Sequence, residues 1–317
     1  MINKYIPKTK TTLGQNVNLD ISSYCMKPTN KDNMKGHIGL VFSKSPKDYT
    51  FFDPRSAKPT YHVDDNENLT ENSRGMVIQE ADEIKFNGSN VLQYFTPNNV
   101  GVLLSITNRS LTSAKEIFNK EIDPNKHNHS LKNVKGNRKE TLIKKSIIIY
   151  DFIEIIQTCI VFSYTSIEAF VNLSIPDNYI FEQRLDNKGI VEKYDKIAIE
   201  RWVPLKQKLS KILVDIYDTG DITKKPIWNY FVKLEQYRHD IIHQKSIDRV
   251  EFYKTYFNKD IFKVCSCAEE IIDFFYKQHA KKNASNPLWP WLINKENHFP
   301  TTKYNAGNFE KKGSIYD

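Results

Sequence analysis

Cysteine is scarce in this sequence: Cys25, Cys159, Cys265 and Cys267 are the four among 317 residues. They are too few and too scattered for a disulfide framework. Cys265-Ser266-Cys267 lacks the spacing of a structural zinc knuckle. Cys265 also falls on an apolar helical face, which predicts a buried thiol. Residues 1–7 contain no apolar core of the kind a signal peptide carries. The most apolar stretch, residues 147–164, is interrupted by Asp151, Glu154 and Gln157, which a bilayer-spanning helix would not place there. No internal repeat appears. The expectation is a soluble, cytoplasmic protein without a membrane partner.

What is present begins with charge. Lys and Arg number 46 against 38 Asp and Glu, a formal +8. Such a surface is compatible with a nucleic-acid partner and equally with a solvated lysine-rich exterior. A hydrophobic fraction of 39% and an aromatic fraction of 12% suffice for real cores. The length favours two domains over one, with a single large domain as the alternative.

Residues 1–138 read as a β-rich or mixed region. Asn, Thr, Pro, Asp and Gly are frequent there, and the apolar runs are short. Residues 38–42, 49–52, 76–78 and 101–106 read as short strands bounded by turn residues. Asp53-Pro54 and Asn87-Gly88 are turn signals. A helix is expected over residues 110–119. Residues 126–145 form a basic junction with seven Lys/Arg against one Glu. It reads as a solvated linker and first helical turn, or as a hold on an RNA backbone by phosphate neutralisation.

From residue 139 the pattern turns helical. One segment reaches residue 174, is apolar on nearly all sides in its middle, and ends before Pro176. A second spans residues 188–217 with Pro204 as a kink or break. A third starts near Pro226 and reaches His243. A fourth spans residues 248–281 with a break near Asn258, and its Ile261, Val264, Cys265, Ala268, Ile271, Ile272 and Phe275 follow three-four spacing. Such helices bury their stripes against one another, so residues 139–282 predict a four- or five-helix bundle. Residues 283–317 read as an aromatic docking segment, Pro287 through Leu292, followed by a loose tail. The expected fold class is α+β, with an all-α bundle C-terminal to the β-rich or mixed region.

The chemistry concentrates in Tyr237-Arg238-His239-Asp240-Ile241-Ile242-His243. Arginine holds a permanent charge in a fork that fits phosphate oxygens. Histidine titrates near neutrality and can move protons both ways. The Arg-x4-His spacing on the penultimate long helix of a bundle, with aromatics ahead of the Arg (Trp228, Tyr230, Phe231, Tyr237), resembles the HEPN superfamily over residues 139–282. So does Glu168 in an apolar helix with Asn172 four residues on. The resemblance implies a dimeric all-α domain. Many members are metal-independent endoribonucleases of toxin–antitoxin, anti-phage and RNA-processing systems, and others are non-catalytic binding or scaffold domains. Carried over, Arg238 and His243 of both protomers line a shared cleft. Glu168 and Asn172 match the first-helix polar pair. The residue after the Arg, commonly Asn or Asp in the family, is His239. The position where one toxin subgroup has Tyr is Lys245.

Geometry adds a constraint. Five helical residues turn through roughly 500°, which leaves Arg238 and His243 about 140° apart. Either a frayed last turn or a two-fold partner would bring them together, and an isologous dimer does the latter. The bland reading caps the helix C-terminus with both residues and pairs them with carboxylates. Glu168, on a helix with little solvent-facing surface, needs a partner: Arg238 or a donor from the third helix. Asn172 satisfies groups nearby. His239 and His243 also stand at i, i+4, a metal-clamp spacing, with Asp240 where a zinc protease carries Glu. No third ligand follows, so no metal is expected. His127 and His129 read as exposed loop histidines or a ligand pair.

The expectation is an endoribonuclease cleaving RNA by 2′-hydroxyl attack. Arg238 and His243 are catalytic, Glu168, Asn172, His239 and Asp240 support them, and Lys135, Arg138, Lys139 and Lys245 hold the substrate. It needs no cofactor, forms a homodimer, and has a neutralising antitoxin or regulatory partner as a further possibility. The alternatives are a non-catalytic dimerisation or nucleic-acid-binding module and a metal-dependent hydrolase using His239 and His243.

Overall fold

A computed structural model describes residues 22–26, 38–64, 75–184, 191–243, 249–280, 288–293, 295, 299–305 and 309–314. The chain is mixed α/β, a sheet joined to a helical layer. Strands β1 (Ser22–Met26), β2 (Ile38–Ser43), β3 (Thr60–Val63), β4 (Gly75–Lys85) and β5 (Val91–Phe95) come first. The long β4 organises the sheet. It pairs antiparallel with β2 along one edge, and with β3 and then β5 along the other. The β4–β5 turn passes through Gly88 at φ 72°, where a side chain would be strained. Tyr49, Tyr61, Val63, Val77 and Trp291 form the sheet core.

Helix α1 (Asn99–Ile117) follows and corrects the expectation of a strand over 101–106. Val100, Leu104, Thr107, Leu111 and Ala114 are buried, and that three-four spacing outlasts the short β-like run inside it. Asn98 caps the helix, its side chain accepting from Gly101 N at 3.0 Å and donating to Leu288 O at 2.9 Å. Gly101 is required there, because a Cβ would lie 2.1 Å from Pro54 O. Residues 49–52 form no strand either. Tyr49 and Phe52 leave a short 3-10 turn and pack edge-on.

Helix α2 (Arg138–Ser174) is the axis of the helical layer. The strands β6 (Phe181–Arg184) and β7 (Val191–Tyr194) form a hairpin. Helix α3 (Lys196–Trp202), helix α4 (Leu205–Gln207), a π turn over Lys208–Ile212 and helix α5 (Leu213–Ile216) follow. The expected second helix is therefore a strand and broken helical pieces, with Pro204 at the break. Helix α6 (Ile227–Ile242), helix α7 (Arg249–Lys254) and helix α8 (Asp260–Ala280) match the expected third and fourth segments. Small residues let α2 and α8 approach closely: Ser163 Oγ donates to Cys265 O at 2.9 Å, and Cys159, Ser163, Cys265 and Ala268 are fully buried.

The C-terminal residues correct a further expectation. Trp289 is buried in the helical core and Trp291 in the sheet core, so their segment joins the layers. In place of a loose tail come β8 (Thr301–Lys303), parallel to β3, and β9 (Phe309–Ser314), antiparallel to β1. Lys58 is buried at the same junction, its Nζ 4.8 Å from the Tyr276 ring centre and 5.1 Å from that of Trp291. Burial lowers its pKa to about 7.

Among the described residues, α2 is long and apolar enough to cross a membrane, and 28% of its most apolar window is buried. Leu142, Ile143, Ile147, Ile149 and Tyr150 in its N-terminal half are exposed.

Candidate functional site at the end of α6

Pro226 begins α6, and Phe231 and Leu234 anchor it in the core. At about 100° per residue, Arg238 points within roughly 20° of Phe231. The arginine therefore emerges on the core-facing stripe, one turn before the helix ends, and is half-buried. Its guanidinium carbon lies 5.2 Å from the centre of the Tyr164 ring on α2. Among the described residues Arg238 makes no ion pair.

His243 leaves the helix. Its φ and ψ are −112° and 45°, and its N–H donates to His239 O at 2.9 Å. The side chain is exposed, and neither ring nitrogen bonds a described protein group. His243 is thus the C-cap of α6, where the backbone turns away from helical geometry while the last i→i−4 bond is kept. His239 is exposed with its ring centre 4.7 Å from that of His243. Asp240 accepts from Gln236 Nε2 at 2.8 Å. Among the described residues no cluster of three or more His, Cys, Asp or Glu side chains is arranged to hold a metal ion.

Glu168 does not pair with Arg238. Its field acts on Tyr164 and on Lys208 of the π turn. The Tyr164 hydroxyl is pushed up to about 12, first by burial, then by the carboxylates of Glu235 and Glu168, with Arg238 opposing. Lys208 is 3% exposed; its ammonium donates to Asn172 Oδ1 and to Glu200 O, each at 3.0 Å. Burial lowers its pKa, and Glu168 and Glu200 oppose the shift. Glu235 is held by Lys206, Nζ to Oε2 2.5 Å. The site is thus a mixed-charge band in which Tyr164, Glu168 and Asn172 of α2 face Arg238 and Glu235 of α6 and the two lysines. Tyr164, Lys206, Lys208 and Glu235 were not among the expected site residues. Lys208 had a signal: it falls between Leu205 and Leu209 on the stripe continued by Ile212, a lysine at a core position.

The proposed substrate lysines lie elsewhere. Lys135 and Lys139 are exposed, and Arg138 Nη2 donates to Lys132 O at 3.4 Å. Residues 138 and 164 are separated along α2 by about 39 Å at 1.5 Å per residue. In one chain the basic start of α2 and Arg238 do not share a site. Lys245 lies outside the described residues. His129 is not free, since Nε2 meets Ile122 O at 2.7 Å, whereas His127 lines a cavity. Among the described residues, cavities beside Phe257, beside Tyr237 and beside Tyr253 are lined by neither Arg238 nor His243.

The fold and site together define a mixed α/β protein with an Arg/His helix terminus. Compared with known protein families, with curated proteins and with solved structures, the chain matches none.

Proposed function

We infer that the protein is a metal-independent endoribonuclease of HEPN type, acting as a homodimer at the ends of paired α6 helices. One observation carries the reading: neither Arg238 nor His243 is used by a carboxylate of the chain among the described residues, although two carboxylates, Glu168 and Glu235, act on the ring that Arg238 covers. A helix cap would spend both residues, and among the described residues no carboxylate spends either.

In this reading His243 takes the proton of the ribose 2′-hydroxyl or returns one to the leaving 5′-oxygen. Arg238 stabilises charge growing on the phosphoryl oxygens. The attacking oxygen is internal to the substrate, so the product carries a 2′,3′-cyclic phosphate, and DNA is not cleaved. A second copy supplies the facing wall of the groove, since a single chain presents a half-buried Arg238 on the buried Tyr164 ring and His243 in the open. A role as a defence or toxin effector, with a neutralising or regulatory partner, follows from the resemblance.

The non-catalytic reading, a dimerisation or nucleic-acid-binding module, is favoured by the stacking of Arg238 on Tyr164, which gives the arginine a structural task. Cleavage of a mixed RNA pool in EDTA separates the two. Cyclic-phosphate ends made by the wild type and lost in folded Arg238→Ala and His243→Ala support the nuclease. A folded dimer that leaves RNA intact supports the module.

A further inference from the structure

The start of α2 stands clear of the helical core. Phe152 is fully buried, yet no residue from 138 to 151 is buried. That stretch extends for about 21 Å at 1.5 Å per residue. It is apolar all the same. Leu142, Ile143, Ile147 and Tyr150 are each more than half exposed, and Ile149 is exposed beside them. At about 100° per residue these five side chains cover an arc of roughly 160°. The arc is centred about 140° away from Phe152, so it is a second apolar face of the helix, distinct from the one that packs on the core. It runs on into a groove of about 780 Å³ between α2 and α7, lined by Ile153, Val250, Tyr253 and Phe257.

The borders of this face are basic. Lys139 lies on its axis just before Leu142, Lys144 borders it beyond Ile147, and Arg138 borders the opposite side. Residues 126–145 hold seven Lys/Arg against one Glu. That one, Glu140, takes Lys144 at 2.8 Å in an exposed pair of small worth. Different partners would meet such a surface differently. A polyanion such as RNA neutralises the charge and leaves the apolar arc in water. A second copy covers the arc but brings the same basic excess against it. A bilayer with anionic headgroups answers both, since its acyl region takes the apolar side chains and its headgroups take the lysines. Tyr150, with an apolar ring and a polar tip, suits the headgroup level. A helical stretch without a buried residue also fits a flat surface better than a cleft.

We propose that the N-terminal half of α2 docks the protein on an anionic lipid surface, lying in the plane of the interface. The expectation of no membrane partner rested on Asp151, Glu154 and Gln157, which bar a transmembrane span. They do not bar a helix that lies flat. Asp151 falls outside the arc, on the flank of Lys144, and Glu154 marks the place where the face meets the α7 groove. The docking face and the Arg238 site are separate surfaces: Tyr164 lies about 22 Å along α2 from Ile149. Docking therefore does not depend on Arg238 or His243 being catalytic.

The test is flotation of the full-length, RNA-free protein with vesicles of phosphatidylcholine and phosphatidylserine, against vesicles of phosphatidylcholine alone. The expected result is binding at least about tenfold tighter to the anionic vesicles, weakened by high salt. The double variant Ile143→Asp, Ile147→Asp and the double variant Lys139→Gln, Lys144→Gln each lose about tenfold or more. Their melting temperatures stay unchanged, because all four side chains are exposed. In Tyr150→Trp, lipids brominated in the acyl chain quench the added indole on binding. The proposal is overturned if neither vesicle binds, if both bind equally, if either folded double variant binds unchanged, or if bound Tyr150→Trp is not quenched beyond the wild type. A wild-type dimer that ignores vesicles, and that Ile143→Asp with Ile147→Asp turns into a monomer, overturns it too and assigns the face to a second copy. RNA cleavage measured alongside reports on the α6 site separately.

Discussion

The guanidinium of Arg238 lies over the face of the Tyr164 ring, 5.2 Å from its centre, and this contact joins the end of α6 to the middle of α2. A cation on an aromatic face keeps its hydrogen-bond fork unspent, because the attraction comes from the ring quadrupole rather than from lone pairs. The arginine is thereby fixed in direction, and under the proposed function its N–H groups are the ones that would meet phosphate oxygens.

Tyr164→Phe keeps the ring and removes the hydroxyl. RNA cleavage by that variant is expected to stay within about twofold of the wild type, whereas Tyr164→Leu loses about tenfold, in line with the 0.5–2 kcal/mol of a partly desolvated cation–π contact. Single-turnover assays beside thermal melts distinguish the two. Equal losses in both variants would show that the hydroxyl, rather than the ring, matters.

The proposed groove shared by two copies would have a genetic consequence. Under that reading, neither Arg238→Ala nor His243→Ala is expected to cleave RNA alone. If each site draws its arginine from one copy and its histidine from the other, the mixed dimer regains one intact site of two. Mixing the purified variants after partial unfolding and refolding is expected to restore about half of the wild-type rate per dimer that is mixed. No recovery in a mixture shown to contain hetero-dimers would place both residues of a site on one chain.

The buried Lys208 and the half-buried Asn172 form a polar pair at 3.0 Å. Removing the amide by Asn172→Ala leaves an ammonium with one partner fewer, and about 1.5–3 kcal/mol of stability should be lost. Lys208→Met removes the charge as well, so the double variant should be less destabilised than the two single losses added. Urea unfolding of the four proteins measures the coupling, expected at about 0.5–3 kcal/mol.

Lys58 sets a pH dependence with a definite sign. In the unfolded chain it keeps its proton to about pH 10.4; folded, it releases it near 7. Between those values the unfolded chain binds one proton more, so stability rises as pH climbs from about 7 toward 10. As pH falls through 7 that contribution is lost. Above pH 10 the trend reverses, because the hydroxyl of Tyr164 holds its proton to about 12 and folding then favours the more protonated form. Lys58→Met should flatten the rise and stabilise the protein at pH 7 by about 1–3 kcal/mol, the cost of a buried charge less its contact with two rings. Denaturant titrations at pH 7, 8 and 9 read both effects.

Legibility in the sequence followed the range of the physics. Helices α6 and α8 were readable because Pro226 and a sustained three-four spacing are local signals. Arg238 and His243 stood out by residue type, and helical geometry called for either a frayed last turn or a two-fold partner to bring them together. The contact of Arg238 with Tyr164 was not readable, since it joins residues 74 apart in sequence numbering. Glu168 was expected on Arg238 and instead acts on Lys208, whose burial depends on how the π turn packs. Helix α1 was misread where residues 101–106 look like a short strand, and its true period needs the full helix. The C-terminal strands leave little trace, because β8 is three polar-leaning residues whose partner, β3, lies far upstream.

The pairing of Tyr61 with Thr301, and the seat of Trp291 among Tyr49, Tyr61 and Val77, set an order of events during synthesis. Strands β2 to β5 leave the ribosome early but lack their buried indole and edge partner until residues 291–303 are made. The helix pair α1 and α2 can close long before that. A nascent chain therefore carries its helical half ahead of a sheet that waits for a segment about 200 residues downstream of it, and a premature stop anywhere before Trp291 leaves that sheet core open.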